Sequence, residues 1–207
     1  MFMKIIGILF SYIIGSIPTA FLFGRIFKGI DIRNYGSGNI GATNAFRVLG
    51  KRVGIIVFLI DVLKGFIPVF IISELILPVN NIYRLVIFAS VFAGHVWTCF
   101  LRFKGGKGMA VSLGALIALA LRVNSLGLAL LLAVAIWIIV FVIFKYVSLA
   151  SIVSSIVFPL FLLIFSASLE LIVFGSLLCL FIIIKHKSNI YRLLQGKELR
   201  VNSSSNH

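Results

Sequence analysis

Long apolar runs constrain this chain more than any other feature. The stretches 126–144 and 169–184 are apolar on every helical face, and hydrophobic residues make up 61% of the sequence. A chain of this composition lacks the polar surface that a soluble globule needs, and a membrane barrel would need short alternating segments instead. The sequence therefore predicts an all-α, polytopic integral membrane protein.

The apolar windows and the breaks between them predict seven transmembrane helices. We place them at 4–24, 53–77, 82–102, 109–121, 126–144, 149–166 and 169–185. The fourth is short, with about 13 residues against the roughly 20 that a crossing needs, so we expect neighbouring segments to shelter it. Lys4 before an apolar run resembles a signal peptide, but no small-residue cleavage site follows, and the first span is expected to stay in the mature protein. Residues 1–207 are expected to form a single domain, with a disordered tail at 203–206.

The basic residues predict the orientation of these spans. Of the 19 lysines and arginines, 15 fall in the connections after the first, third and fifth spans and in the C-terminal tail. The positive-inside rule then places the N-terminus outside and the C-terminus in the cytoplasm. Because the charges sit in short connections rather than on one face, the net charge of +14 does not indicate a nucleic-acid partner.

The connection after the first span is rich in glycine and in small hydrogen-bonding side chains. Its candidate ligand-binding residues are Ser37, Gly38, Asn39, Gly41, Thr43, Asn44 and Arg47. Glycines allow a close backbone approach to an anion, and hydroxyl, amide and guanidinium groups add donors, so the segment suits a phosphate group. A structural alternative gives the glycines to tight turns and makes Thr43 or Asn44 the N-cap of a following helix.

A second glycine-rich segment, residues 103–108, precedes the fourth span. It contains Gly105, Gly106, Lys107 and Gly108 but lacks the Walker spacing, so nucleotide hydrolysis is not implied. A helix that begins near Gly108 would direct its positive dipole end at an anion beside Lys107. The alternative is an ordinary basic turn, a role that Lys104 fits better than Lys107.

Three further groups of polar residues are candidates. His95 lies in the third span, where it either serves a site or bonds a neighbouring helix. His186, Asn189 and Arg192 follow one another at helical spacing after the last span, as in either a recognition surface or an interfacial basic helix. Asp61 and Lys64 share a helical face within the second span, and we interpret them as a buried pair that fixes helix packing rather than as catalytic groups.

The acidic residues narrow the chemistry. The five in the chain are Asp31, Asp61, Glu74, Glu170 and Glu198, and the predicted orientation places Glu74 and Glu170 on the far side. This nearly excludes a two-carboxylate mechanism, and no nucleophile elbow or metal-ligand spacing is present. Cys99 and Cys179 fall in predicted spans and are expected to be packing residues. Positioning and electrostatic stabilisation of phosphates remain, without metal or cofactor.

Taken together, the motifs resemble those of a known family. They are, in order, the sequences at 37–44 with Arg47, at 94–95 and 103–108, and at 186–198, with supporting residues at 15–18 and 61–65. They are similar to the motifs of the bacterial acyl-phosphate:glycerol-3-phosphate acyltransferases, and the similarity covers nearly the whole chain. Thr98, where that family often has proline, and Met109, where valine is usual, depart from the pattern.

The resemblance implies a seven-span enzyme of the bacterial cytoplasmic membrane. It would transfer a fatty acyl group from acyl phosphate to the 1-hydroxyl of glycerol 3-phosphate, with a functional link to the enzyme that supplies the acyl phosphate. By position, Ser37 and Arg47 match essential residues of the first motif, the glycines and Lys107 match the glycerol-phosphate-binding motif, and His186 and Asn189 match functional residues of the third. Glu198 matches a residue linked to structural integrity.

Two alternatives remain open for the general base, and two further function classes compete with the acyltransferase. Either His95 or His186 takes the proton of the glycerol hydroxyl, or the substrate's own phosphate does, which the scarcity of carboxylates favours. A transporter for an organic phosphate would also use basic, glycine-rich turns, but it predicts polar positions at mid-membrane depth in several spans. A lipid phosphatase would need a nucleophilic histidine or a metal site that the sequence does not provide.

Overall fold

The computed structural model describes residues 2–75 and 80–200, and within these ranges the chain is helical and contains no strand. Its α-helices are α1 (Phe2–Ser16), α2 (Thr19–Lys28), α3 (Ala42–Leu49), α4 (Lys51–Ile67), α5 (Asn81–Val96), α6 (Met109–Ala120), α7 (Asn124–Phe144), α8 (Val147–Ile164), α9 (Leu169–Lys185) and α10 (Lys187–Leu194). A π-helical turn, Pro68–Ile72, extends α4, and two 3₁₀ turns lie at Ile32–Asn34 and Cys99–Leu101. The predicted all-α class is confirmed.

Several helices are long and apolar enough to cross a membrane. They are Phe2–Lys28, Lys51–Ile72, Asn81–Leu101, Asn124–Phe144 and Val147–Ile164, to which α9 and α10 add a sixth if the pair, bent by 60°, is one span. Helix α6 is shorter, with 12 residues. The predicted span 169–185 coincides with α9, and residues 76–77 of the predicted second span lie outside the described ranges, as does the tail at 203–206.

The first predicted span, 4–24, lies within the candidate span Phe2–Lys28, which consists of two helices. Helix α1 ends at Ser16 and α2 begins at Thr19, with Pro18 at the N-cap position. Proline has no backbone N–H and its ring excludes the preceding turn of helix, so a break at this point has a local cause. It leaves backbone carbonyls inside an apolar stretch that need other donors.

The described residues form two compact units, one ending at Leu119 and the other beginning at Ala120. In the first unit, α1 and α5 approach closely through glycine, because a Cβ on Gly15 would overlap the carbonyl of Val91 and one on Gly94 would overlap the carbonyl of Tyr12. Helices α4 and α6 meet in the same way at Gly65 and Gly114. Small residues at helix contacts are the usual means of packing in lipid, where apolar side chains gain little from leaving the solvent.

The second unit contains α7 to α10. Helices α7 and α8 follow each other across a short turn, and the indole N–H of Trp137 donates to the hydroxyl of Ser151 at 3.2 Å. Helix α8 buries its serines on the packed side, and α9 places Gly175 against the side chain of Leu162. The lipid-facing sides of these helices carry the large exposed apolar residues, as expected for membrane spans.

Candidate active site

The first glycine-rich segment lies over a small apolar core within its own unit. Ile32 and Ile40 from the segment belong to one buried cluster with Ala45 and Leu49 of α3 and Val57 of α4. Two buried anchors fix the path of the loop, while the polar residues between them remain at or near the surface. Ser37 and Asn39 are half-buried and Gly38 is exposed, so both side chains remain partly accessible.

Asn44 holds this loop from inside. Its side-chain oxygen accepts the backbone N–H of Ser37 at 2.8 Å, and its amide nitrogen donates to the carbonyls of Tyr35 at 3.1 Å and Ile32 at 3.3 Å. Gly36 adopts φ 60°, and a Cβ there would overlap the Asn44 oxygen. Asn44, predicted to bind substrate, therefore uses these hydrogen bonds to hold the loop and to position Ser37.

The remaining first-motif residues lie on the short helix α3. Its N-cap is Gly41, and no side chain caps it, so the alternative that made Thr43 or Asn44 the N-cap is wrong. Thr43 and Arg47 are four residues apart on α3 and share a face. Both are half-buried, so a hydroxyl and a guanidinium share one partly exposed face of α3.

An ion pair fixes the entrance to this loop. The Asp31 side chain accepts the backbone N–H of Arg33 at 3.1 Å and pairs with its guanidinium at 2.6 Å, while Arg25 approaches the same carboxylate to 3.7 Å. The hydrogen bond from the Arg33 side chain, with the nearby positive charges, lowers the pKa of Asp31 to about 2. The carboxylate thus stays charged and keeps its partners at physiological pH.

The second glycine-rich segment folds back on the end of α5. The N–H groups of Gly105 and Gly106 donate to the carbonyls of Val96 at 3.1 Å and His95 at 3.0 Å. A Cβ on Gly105 would overlap both carbonyls, and one on Gly106 would overlap the His95 ring nitrogen Nε2. Close packing, rather than donation to an anion, accounts for these two glycines.

Lys107 follows this packed turn, directly before α6. It is half-buried, whereas Lys104 is exposed. Gly108 adopts φ 85°, and a Cβ there would overlap the ring of Phe92, so the entry to α6 is fixed on both sides of Lys107.

Thr98 ties the same loop to the first span. Its hydroxyl donates to the carbonyl of Ser16 at 2.5 Å and accepts the N–H of Phe100 at 3.3 Å. A proline would provide neither bond, so this departure from the family pattern adds a link between α1 and the loop. Cys99, predicted to be a packing residue within a span, is instead exposed in the 3₁₀ turn, while Cys179 lies half-buried in α9.

Asp61 and Lys64 form a buried pair in α4, 2.8 Å apart. Asp61 also accepts the hydroxyl of Thr19 at 3.0 Å, and the Lys64 ammonium donates to the carbonyl of Ile17 at 2.8 Å. That carbonyl lies in the break between α1 and α2 and also accepts the N–H of Thr19 at 3.0 Å. The pair therefore joins the break and the start of α2 to α4. His95 is also buried, against the glycine turn.

In the second unit, Glu198 gathers the residues of the third motif. Its carboxylate accepts the amide of Asn189 at 2.7 Å, the guanidinium of Arg192 at 2.8 Å and the hydroxyl of Ser148 at 3.0 Å. Asn189 and Arg192 lie one turn apart on α10, as their spacing predicts. Ser148 was not a sequence candidate, because nothing in the chain's order relates it to a residue 50 positions away.

His186 lies at the junction of α9 and α10 and is almost fully buried. Its Nδ1 is 2.8 Å from the carbonyl oxygen of Ile182, which can only accept a hydrogen bond. Nδ1 therefore carries the proton, and in the neutral ring Nε2 carries the lone pair. In residues 2–75 and 80–200, no group of three or more His, Cys, Asp or Glu side chains is arranged to hold a metal ion.

Comparison with known proteins identifies the family. A sequence model of the glycerol-3-phosphate acyltransferases matches residues 5–196. The chain belongs to the glycerol-3-phosphate acyltransferase family. It is 42% identical to the glycerol-3-phosphate acyltransferase of Fusobacterium nucleatum over 92% of this chain and 94% of the relative. With the corresponding protein of Thermoanaerobacter sp. the identity is 44%, over 92% of each chain.

The fold agrees with that of solved members of this acyltransferase family. A crystal structure of PlsY (YgiH), described as an integral membrane glycerol 3-phosphate acyltransferase in its glycerol 3-phosphate form, matches with a TM-score of 0.86. The identity is 36%, over 95% of this chain and 94% of that one. The lysophosphatidic acid form matches with a TM-score of 0.82 at 35% identity. The resemblance inferred from the motifs is thus confirmed, and so is the integral membrane character of the fold.

Proposed function

We propose that this protein transfers a fatty acyl group from acyl phosphate to the 1-hydroxyl of glycerol 3-phosphate. The products are 1-acyl-glycerol 3-phosphate (lysophosphatidic acid) and inorganic phosphate, as a step of phospholipid synthesis. The observation that carries the proposal is the family match over residues 5–196. The solved relatives in glycerol 3-phosphate and lysophosphatidic acid forms support the acceptor and the product. Acyl phosphate as the donor is supported by the chemistry of the chain.

Acyl phosphate is a mixed anhydride with a good leaving group, so its carbonyl needs no covalent enzyme intermediate. The glycerol hydroxyl forms a C–O bond to the acyl carbon, the bond to the phosphate oxygen breaks, and phosphate leaves with the electron pair. Such a reaction requires that two anionic groups be held close together, and fixed positive groups stabilise the charge on both. Arg47 and Lys107, each half-buried next to a braced loop, have the chemistry for this role.

Within the first unit, we assign Ser37, Arg47 and Lys107 to catalysis. The substrate-binding residues proposed with them are Gly38, Asn39, Gly41, Thr43, His95, Gly105, Gly106 and Gly108. For Gly105, Gly106 and His95 the contribution is the packed turn that presents Lys107, since the two glycine N–H groups bond to the end of α5. Asn44 contributes by positioning Ser37.

Within the second unit, we assign His186 and Asn189 to the same reaction. Asn189 donates to the buried carboxylate of Glu198, which keeps its amide oxygen in a fixed orientation. Glu198, Asp61 and Lys64 act structurally. The proton of the glycerol hydroxyl passes to the substrate's own phosphate, whose second pKa is about 6, in preference to His95 or His186.

The proposed membrane arrangement has seven spans, with the N-terminus outside and the site on the cytoplasmic side of a bacterial inner membrane. The number seven rests on counting the bent pair α9–α10 as one span and the short α6 as another, in addition to the five candidate spans. The distribution of basic residues supports the orientation. Labelling of single-cysteine variants in intact cells, with Cys99 and Cys179 replaced, tests it, since external labelling at position 104 would contradict it. The whole chain is proposed to act as one acyltransferase domain.

The test of function is an assay of the purified protein with acyl phosphate and glycerol 3-phosphate. Phosphate and lysophosphatidic acid should appear in equal amounts. Lys107→Gln should lower kcat/KM by about 10²-fold or more, as loss of a charge that acts in the transition state does, while Lys104→Gln three residues away should leave it unchanged. Absence of product with acyl phosphates of every chain length, together with uptake of glycerol 3-phosphate into proteoliposomes, would establish the transporter instead.

A further inference from the structure

A groove with a volume of about 500 Å³ lies where α9 meets α10. Its lining residues are Ile184, Lys185, Lys187, Ser188 and Tyr191. Two lysines, a serine and a tyrosine thus line one groove together with an isoleucine, and none of these lining residues is acidic. A cavity of this composition is complementary to an anion that also carries an apolar part.

The groove lies on the opposite side of α10 from the third-motif residues. Asn189 is buried and bonded to Glu198, whereas Lys187, Ser188 and Tyr191 are exposed. The two sets occupy different faces of one eight-residue helix. The groove is therefore separate from the contact between Asn189 and Glu198.

The depth of the groove in the membrane follows from the apolar length of α9. After Glu170 in its first turn, this helix carries no charged residue until its last residue, Lys185, and the chain then turns by 60° into α10. Ile184 and Tyr191 are exposed at this bend, on either side of the lysines. A basic, aromatic segment at the end of a span lies at the level of lipid headgroups, with the apolar residue of the span next to the acyl chains.

We propose that this groove binds an anionic phospholipid of the surrounding bilayer. The headgroup phosphate bonds to Lys185, Lys187 and Ser188, and an acyl chain lies along Ile184. A lipid held in this way contacts the outer face of the helix whose inner face carries Asn189, so it supports α10 from the membrane side. The proposal concerns binding alone and stands whether or not the protein is an acyltransferase.

Native mass spectrometry of the full chain in mixed micelles tests the binding. From micelles that contain phosphatidylglycerol and phosphatidylcholine, the wild-type protein should retain bound phosphatidylglycerol. The double variant Lys185→Gln/Lys187→Gln should retain roughly tenfold less phosphatidylglycerol, since each lysine near a membrane surface attracts anionic lipid. The matched control is Lys145→Gln/Lys197→Gln, which removes two exposed lysines of the same unit outside the groove. The proposal would be overturned if the two double variants retained equal amounts of phosphatidylglycerol, or if the wild type retained as much phosphatidylcholine as phosphatidylglycerol.

A second measurement uses the unmodified protein, in case the double variant does not fold. Phosphatidylglycerol with a photoreactive group in its headgroup should label the segment 184–191 of wild-type protein in nanodiscs, and the phosphatidylcholine analogue should not. Inorganic phosphate added at millimolar concentration should leave the labelling unchanged. Labelling confined to other segments, or displacement by free phosphate, would show that the groove does not select an anionic lipid.

Discussion

The side-chain oxygen of Asn44 accepts the backbone N–H of Ser37 at 2.8 Å, from within the loop that carries the first motif. The same side chain donates to two carbonyls of that loop and is 1% exposed. A buried amide with three hydrogen bonds sets the backbone around it, because leaving any of its partners unpaired is costly. Ser37 therefore takes its position from Asn44.

Asn44→Ala should lower both the stability and the activity of the protein. Loss of three buried hydrogen bonds costs about 2–4 kcal/mol, and the displaced Ser37 should reduce kcat/KM by about 10²-fold. Thermal unfolding in detergent and steady-state kinetics measure the two effects. The control is Asn34→Ala, which changes an exposed asparagine at the end of the neighbouring 3₁₀ turn and should alter neither. Unchanged kinetics in Asn44→Ala would mean that the brace does not position a working residue.

Gly105→Ala should be far more damaging than Gly127→Ala. A Cβ at Gly105 would overlap the carbonyls of His95 and Val96, which are backbone atoms that cannot rotate away, whereas no atom lies within 4 Å of a Cβ at Gly127. We expect loss of about 3 kcal/mol or more for Gly105→Ala, as for severe overpacking. Gly127→Ala, in helix α7, should be neutral or stabilising by up to about 1 kcal/mol. Thermal unfolding of both variants under one condition provides the comparison.

The sequence predicts the helical class and the bounds of α9, and it does not reveal the contacts between distant segments, for a physical reason in each case. The apolar run of α9 ends where predicted, because length and apolarity alone define such a helix. The break after Ser16 was not predicted, although Pro18 marks it, because an isolated proline is compatible with a kinked continuous span. Lys64 donates to the Ile17 carbonyl from 47 residues away, a contact that no local pattern reveals.

In the candidate site, too, the sequence indicates the chemistry but not the contacts between distant residues. The residue types and the order of the motifs indicate phosphate chemistry, since glycine, lysine and arginine in short loops are unusual in an apolar chain. The sequence does not show which glycine N–H groups already donate to protein carbonyls, because that depends on how the loop packs against α5. The hydrogen bonds of Gly105 and Gly106 to the end of α5 are visible only in three dimensions. The same holds for Ser148, which reaches Glu198 from another helix.

Breaking the Asp61–Lys64 pair should separate a structural role from a catalytic one. Asp61→Asn or Lys64→Met alone leaves an unpaired charge among buried residues and should cost about 3–5 kcal/mol. The double variant removes both charges and should recover most of that loss. If the pair is structural, activity returns with stability in the double variant. A stable but inactive double variant would instead assign a chemical role to one of the two charges.

Glu198→Ala should destabilise the second unit and weaken catalysis together. The carboxylate accepts hydrogen bonds from Asn189, Arg192 and Ser148. Because its loss removes an acceptor from a buried amide and a partly buried guanidinium, we expect the free energy of unfolding to fall by about 3 kcal/mol or more. Ser148→Ala removes one of these bonds and should cost about 1 kcal/mol. Glu170→Ala, at an exposed position, is the matched control and should change stability by less than about 1 kcal/mol. Thermal unfolding and kcat/KM of the three variants should follow this order, and an unaffected Glu198→Ala would remove the positioning role of the carboxylate.

The identity of the base can be decided by changing the substrate rather than the protein. If the phosphate of glycerol 3-phosphate takes the hydroxyl proton, the rise of kcat/KM with pH follows the second pKa of that phosphate, near about 6. A phosphonate analogue has a higher second pKa, so the rise should shift to higher pH with it. A histidine base would hold the rise in place for both substrates, because its own pKa would set it. If the substrate phosphate is the base, His95→Ala and His186→Ala should each lower kcat by less than about 10²-fold at unchanged KM. Thermal unfolding should first confirm that both variants are folded. A larger loss in His186→Ala, together with an unshifted profile for the phosphonate, would make its Nε2 lone pair the base.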